Sequence, residues 1–246
     1  GRPTIWGNLY SHLPGKGEIQ VSSRDEAVDK YAEWLQDNDR GLYELRGKDL
    51  TCWCVPERCH AEILDAEANR GTLIAVTGHR PANLGHDGYN PKAPVRLKIR
   101  EWLAKQGAQH EQPMWITGGA LGVDQDAARE AHKNGQPYMV AIPFRGQQNK
   151  WRSGDQQRYR KMIELGDSRL ARRLAWKDEQ IFDGAVVIHE GPYPGPWVLQ
   201  KRNEWMVDRC DLLLGVWNGD DGGTANCLAY AAKIDRRTIW VDPTDL

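Results

Sequence analysis

The chain carries two hydrophobic textures, and the change between them falls near "ANRGTLIAV", Ala68 to Val76. Beyond that point apolar runs of strand length recur: "TLIAVTG", "MWITGGA", "YMVAIP", "AVVIHEG", "DLLLGVW" and "TIWVDP". Segments with helical spacing separate them. In "PVRLKIREWLAKQG", Val95, Ile99, Trp102 and Leu103 share one helix face. Strands that are apolar throughout need cover on both sides, and their alternation with helices indicates a parallel sheet. The pattern predicts an α/β domain over 71–246: a doubly wound, mostly parallel sheet with helices on both faces. Residues 1–70 read differently, with turn residues, one amphipathic helix ("RDEAVDKYAEWLQ") and a cysteine cluster ("LTCWCVPERCHAEIL"). They predict a small α+β domain. "GPYPGP" is a stiff loop inside the larger domain, and no repeat or low-complexity tract is present.

In a sheet of this kind, ligands bind beyond the carboxyl ends of the strands. The unusual residues fall there. "TLIAVTG" runs into "HRP", "MWITGGA" into "LGVDQDAA", "YMVAIP" into "FRGQQNKW", and "DLLLGVW" into "NGDDGGTAN". Glycine at one strand end only makes a turn. Four polar, glycine-bearing loops on one edge favour a shared crevice, where backbone N–H groups and helix N-termini meet an anion. There is no G-x-x-x-x-G-K-[ST] and no full G-x-G-x-x-G, so the cradle is neither a P-loop nor a standard dinucleotide fingerprint.

Composition narrows the partners. Lys and Arg number 33 against 34 Asp and Glu, a formal charge of −1 with no block of one sign, which argues against a polyanion-binding face. No apolar run is long enough for a membrane span, and no secretory segment opens the chain. Five cysteines, an odd number, fit a reducing compartment, so a cytoplasmic protein is expected. The start at Gly1 without methionine leaves room for a strand upstream. Of the eleven tryptophans, Trp34, Trp102 and Trp115 sit in apolar patterns and read as core rather than as base-stacking platforms.

The motifs "AVTGHRP", "ITGGALGVDQDAA", "AIPFRGQ", "QKRNEWMVDRCDLLLGVWNG" and "GGTANCLAYA" resemble, in order, those of the SLOG superfamily. These are Rossmann-like domains related to the DNA-processing protein DprA and to the LOG phosphoribohydrolases. "SRLARRLAWKDEQIFDG" (168–184) is longer than that pattern requires. The resemblance implies a Rossmann-like fold and a small nucleotide-type ligand. Its binding residues would be Thr77, Gly78, His79 and Arg80 after the first strand, and Gly118, Gly119, Ala120 and Gly122 after the second. Phe144 follows the third, Asn203 lies on a later helix, and Gly222, Gly223, Thr224 and Asn226 close the set. The family's LOG branch cleaves the N-glycosidic bond of nucleoside monophosphates with an arginine and a glutamate. "LQKRNEWM" matches the arginine motif at Arg202 and Met206, with Leu199 and Asn203 substituted; the glutamate's place is taken by Cys227.

Other carboxylates are therefore candidates for catalysis beside Arg202. Asp124 opens the helix after "GGALGV"; it is either a ribose ligand or an ordinary first-turn acid stabilised by the helix dipole. Glu204, two residues past Arg202, either assists or forms an ion pair on its own helix. Asp220 and Asp221 read as a solvated turn. His79 is either a phosphate or proton-transfer group or a hydrogen-bonded structural residue. Arg80 suits phosphate on geometry.

Cys52, Cys54, Cys59 and His60 admit three readings: buried small residues, a metal site, or a reactive Cys–His pair. The C-x-C-x4-C-H spacing departs from paired CxxC sites. Buried small residues are the expectation, with no metal and no cofactor. The sequence thus points to a protein that binds a nucleotide-type ligand and acts at its ribosyl or N-glycosidic bond. The rival is a non-catalytic nucleotide sensor. DprA-like single-strand binding is disfavoured by the balanced charge. No membrane contact is expected, and a homo-oligomer is left open.

Overall fold

The computed structural model describes residues 5–54 and 56–246. The chain divides into two compact units, Gly1–Arg70 and Gly71–Leu246. In the first, β1 (Tyr10–Ser11) and β2 (Ile19–Gln20) form a short parallel pair beside α1 (Arg24–Asp37) and α2 (His60–Ala68). Ser23 caps α1 by accepting from the Glu26 N–H, while Glu26 returns to accept from Ser22. Ala27, Val28, Tyr31 and Leu35 face inward at helical spacing. With Leu42, Leu64 and Ala68, Tyr31 and Leu35 form a small core that Trp34 partly covers.

The second unit contains β3 (Thr72–Gly78), α3 (Pro94–Gly107), β4 (Pro113–Thr117), α4 (Val123–Lys133), β5 (Tyr138–Ile142) and α5 (Ser153–Glu164). It continues with α6 (Ser168–Leu174), β6 (Gln180–Phe182), β7 (Ala185–Val187), α7 (Trp197–Arg209), β8 (Leu212–Val216), α8 (Gly223–Lys233) and β9 (Thr238–Val241). The seven strands lie in the order β6-β7-β5-β4-β3-β8-β9. Every pairing is parallel except β6 with β7. This is the Rossmann-like α/β sheet that the strand pattern requires.

Leu73 through Val76 are all buried, so β3 has no solvent face. Ile74 and Val76 join Ile99 and Leu103 of α3 and Val123 and Ala127 of α4 in one core, which also holds Trp115. Val95 and Trp102 pack against it, completing the stripe read from the sequence. The long segment at 168–184 forms α6 and β6, and β6 closes one sheet edge as an antiparallel strand. No helix among the described residues is long and apolar enough to cross a membrane.

Candidate functional site

From β3 the chain moves one way across the sheet, through β4 and β5 to β7, then returns to lay β8 on the other side of β3. That reversal between β3 and β8 is a topological switch point, where the loops at the carboxyl ends diverge and leave a crevice. A cavity of about 270 Å³ lies there. Its lining comes from Thr77 and Gly78 at the end of β3, His79 and Arg80 after it, Ala120 and Asp124 after β4, Leu199, Arg202 and Asn203 on α7, and Asp220 to Thr224 after β8.

Arg202 and Asp124 form the polar floor, 9% and 5% exposed. Arg202 Nη1 lies 3.6 Å from Asp124 Oδ2 but has no hydrogen-bond partner among the described residues. Its Nε donates to Asn203 Oδ1 at 3.1 Å, and Asn203 Nδ2 donates to the Gly223 carbonyl at 3.1 Å. The guanidinium is thus held by its neighbour while one buried nitrogen is left to be satisfied. Such a group costs free energy unless a ligand or water meets it.

Asp124 Oδ2 accepts from the Ala120 N–H at 3.3 Å. Burial pushes its carboxyl above the ordinary carboxylate range, while the charge of Arg202, the Ala120 N–H and Arg80 act the other way. A carboxyl with a raised pKa in a cleft is a candidate for proton transfer.

The two helix N-termini differ. α4 begins at Gly122 with Asp124 and Asp126 in its first turn. α8 begins at Gly222 with no side-chain cap and no acid in its first turn. Its first N–H groups therefore keep their positive partial charge for an external anion. A Cβ on Gly222 or Gly223 would meet nothing within 4 Å, so the chain is open beside these two residues.

His79 is buried, and its Nε2 accepts from the Asn218 N–H at 2.9 Å. That bond ties the loop after β3 to the loop after β8. Cys227 is completely buried beside Thr77 and does not line the cavity. Burial pushes its thiol up to about 11, against the Thr77 hydroxyl and the Arg202 charge. The side chain in the glutamate's slot is therefore a neutral thiol at physiological pH.

Three further glycines of the sequence reading build walls rather than touch the cavity. A Cβ on Gly118 would fall 1.3 Å from Arg202 Nη1, so glycine there is the space the guanidinium occupies. Gly119 and Gly122 have φ of +66° and +105°, and a Cβ would meet Val140 and Tyr159, or the His79 carbonyl. Glu204, Phe144 and Asn226 stand outside the lining. Glu204 accepts from Gln200 Nε2 at 3.0 Å instead of forming an ion pair. Phe144 packs on Tyr193, with centroids 5.0 Å apart, and Asn226 is exposed. Asp220 is bound into its own turn by Asn218 Nδ2, at 2.7 Å.

One component escaped the sequence reading. Arg96 and Arg100 on α3 are buried with Asp126 and Glu130 on α4. Arg96 pairs with Asp126 and donates to the carbonyls of Gly88 at 2.8 Å and Gly122 at 3.1 Å, which anchors the turn carrying Asp124. The i,i+4 spacing of the arginines, matched by Asp126 and Glu130, was the available signal.

Comparison with known proteins bears on this arrangement. Residues 74–238 match the model of the YspA SLOG family, and residues 1–70 match a domain of unknown function (DUF4326). The chain belongs to the YspA SLOG family. Among its relatives, the uncharacterized SPbeta prophage-derived protein YoqJ of Bacillus subtilis is 32% identical over 152 residues, 58% of this chain and 85% of that protein. The UPF0398 protein YpsA of Bacillus subtilis is 24% identical over 167 residues, 65% of this chain and 84% of its own length. Among solved structures, DprA from Streptococcus pneumoniae is similar with a TM-score of 0.46 and 16% identity, covering 69% of this chain and half of that one. The Moco carrier protein of Chlamydomonas aligns with a TM-score of 0.40 and 20% identity, over 70% of this SLOG-family chain and 76% of its own. These likenesses concern the fold.

Proposed function

We propose that the crevice binds a nucleotide-type ligand and that the protein hydrolyses its N-glycosidic bond. One observation carries the reading: Arg202, held by Asn203 and 3.6 Å from the Asp124 carboxylate, lines the same cavity as the uncapped N-terminus of α8. A phosphate suits the α8 donors and Arg80, because an uncapped helix N-terminus and a guanidinium both offer it positive charge. The ribose then lies over Arg202 and Asp124. Charge develops at its anomeric carbon as the bond to the base nitrogen breaks, and a carboxylate beside it stabilises the oxocarbenium-like centre. Water adds its oxygen to that carbon, and a water proton passes by way of Asp124 to the departing base. No cofactor enters the step.

A second reading, a nucleotide sensor without turnover, is favoured by Cys227. A neutral buried thiol stands where related hydrolases place their glutamate.

A panel of nucleoside monophosphates, NAD, ADP-ribose and a single-stranded oligonucleotide separates these readings, with thermal shift and base release followed together. A ligand at 100 times its Kd adds about 2.7 kcal/mol of stability, a shift of about 5–10 °C in a unit of this size. Hydrolysis requires base release that falls about a hundredfold or more in Asp124→Asn while the shift persists. A shift without base release supports the sensor. Stabilisation by the oligonucleotide alone refutes the nucleotide reading.

A further inference from the structure

The first unit gathers three thiols around one point, with an imidazole beside two of them. The Sγ atoms of Cys52, Cys54 and Cys59 all lie within 4.8 Å of one another. Cys52 Sγ is 3.7 Å from Cys54 Sγ, and His60 Nδ1 is 3.9 Å from Cys52 Sγ and 3.8 Å from Cys59 Sγ. We propose that Cys52, Cys54, Cys59 and His60 Nδ1 bind one zinc ion in a Cys3His site that holds this unit together.

Three of the separations, 3.7, 3.9 and 3.8 Å, are close to those of a coordination shell. With Zn–S of about 2.3 Å and Zn–N of about 2.0–2.1 Å, a tetrahedron has S···S edges of about 3.8 Å and S···N edges of about 3.6 Å. A thiol–imidazole hydrogen bond accounts for one such contact, whereas a single Nδ1 beside two sulfurs of a three-thiol group is what a shared ion organises. The pair at 3.7 Å is also far from the roughly 2.05 Å of a disulfide, and all three cysteines are free thiols. Cys52 and Cys54 are only partly buried, so they do not act as core fillers. The unit's apolar core gathers on Tyr31, Leu35, Leu42, Leu64 and Ala68 instead, without them.

The surroundings support the same assignment. Cys59 is the N-cap of α2, so the helix dipole favours a negative sulfur there, and its Sγ accepts from the Ala61 N–H at 3.4 Å. Donors of this kind orient a ligating sulfur. The His60 ring meets Tyr31 edge-on, with centroids 5.1 Å apart, and the Tyr31 hydroxyl donates to the Trp6 carbonyl at 2.8 Å. The imidazole is thereby seated before a metal arrives. A unit of this length with so small a core is of the size class that commonly recruits a metal or disulfide staple. A set of three soft sulfurs and one nitrogen selects zinc over hard, oxygen-seeking cations. The expectation of simply packed thiols gives way here.

The test uses the full chain, purified reduced and without a histidine tag. Elemental analysis is expected to find about one zinc per chain. Cys54→Ser and His60→Gln should each lose most of it, while Cys210→Ser, a cysteine of the other unit, should keep it. Because ligand variants can fail to fold, the wild type is also stripped and loaded with cobalt(II). A tetrahedral thiolate site then shows visible ligand-field bands and a near-ultraviolet sulfur-to-cobalt charge-transfer band. Metal-free wild type that develops no such spectrum overturns the site. So does zinc at full stoichiometry in both ligand variants.

Discussion

Residue identity sets the chemistry, and helical geometry decides which residues take part. Arg202 and Glu204 are separated by 200° around a helix, at 100° per residue. Arg202 faces the crevice, so Glu204 turns away and bonds Gln200 instead. The same angle separates Thr224, which lines the cavity, from the exposed Asn226. Arg202 and Asp124 were legible because each stands in a family motif, Asp124 just after β4 and Arg202 on α7. The state of Cys227 was not, because only packing raises its thiol to about 11. Below the ordinary thiol range both folded and unfolded chains hold that proton. Above it the unfolded chain releases the proton first, so this contribution to stability is lost as pH rises from roughly 8.5 toward 11. Cys227→Ala should flatten the decline in melting temperature over that window. Iodoacetamide at neutral pH should leave Cys227 of the folded protein unmodified. Rapid alkylation there would show an accessible thiolate and a different site.

At the scale of elements, the apolar strands and the α3 stripe were readable because burial on both sides of a sheet leaves an unbroken hydrophobic record. The buried ionic pairing of α3 with α4 was not, since charged residues at i,i+4 look like an exposed face until the partner helix is seen. Asp126 carries most of that contact: it pairs with Arg96 and, at 3.2 Å, with Arg100, and its side chain is 3% exposed. Asp126→Asn would leave two buried guanidinium groups without their shared counter-charge. A loss of about 3–5 kcal/mol is expected, read as a fall in the urea midpoint at unchanged slope. Loss below about 1 kcal/mol would mean that water reaches the arginines and that they do not anchor the Gly122 turn.

Across the whole molecule, strand order turns separate motifs into one site. "TGHRP" and "DDGGTAN" are 140 or so residues apart, yet β3 and β8 are neighbours, so their loops close the same crevice. Neighbouring strands could not be ordered from periodicity alone; the family motifs, most of them at strand ends, carried that information. The most direct measurement of the central claim is a calorimetric titration with the nucleotide that gives the largest thermal shift. Wild type and Arg202→Ala are compared at two salt concentrations. Loss of a buried charge-assisted bond of about 1.5–3 kcal/mol predicts a Kd weakened about tenfold to a hundredfold in the variant, with a smaller salt dependence. Equal affinity in the two proteins, or no saturable binding of any nucleotide to the wild type, would contradict it.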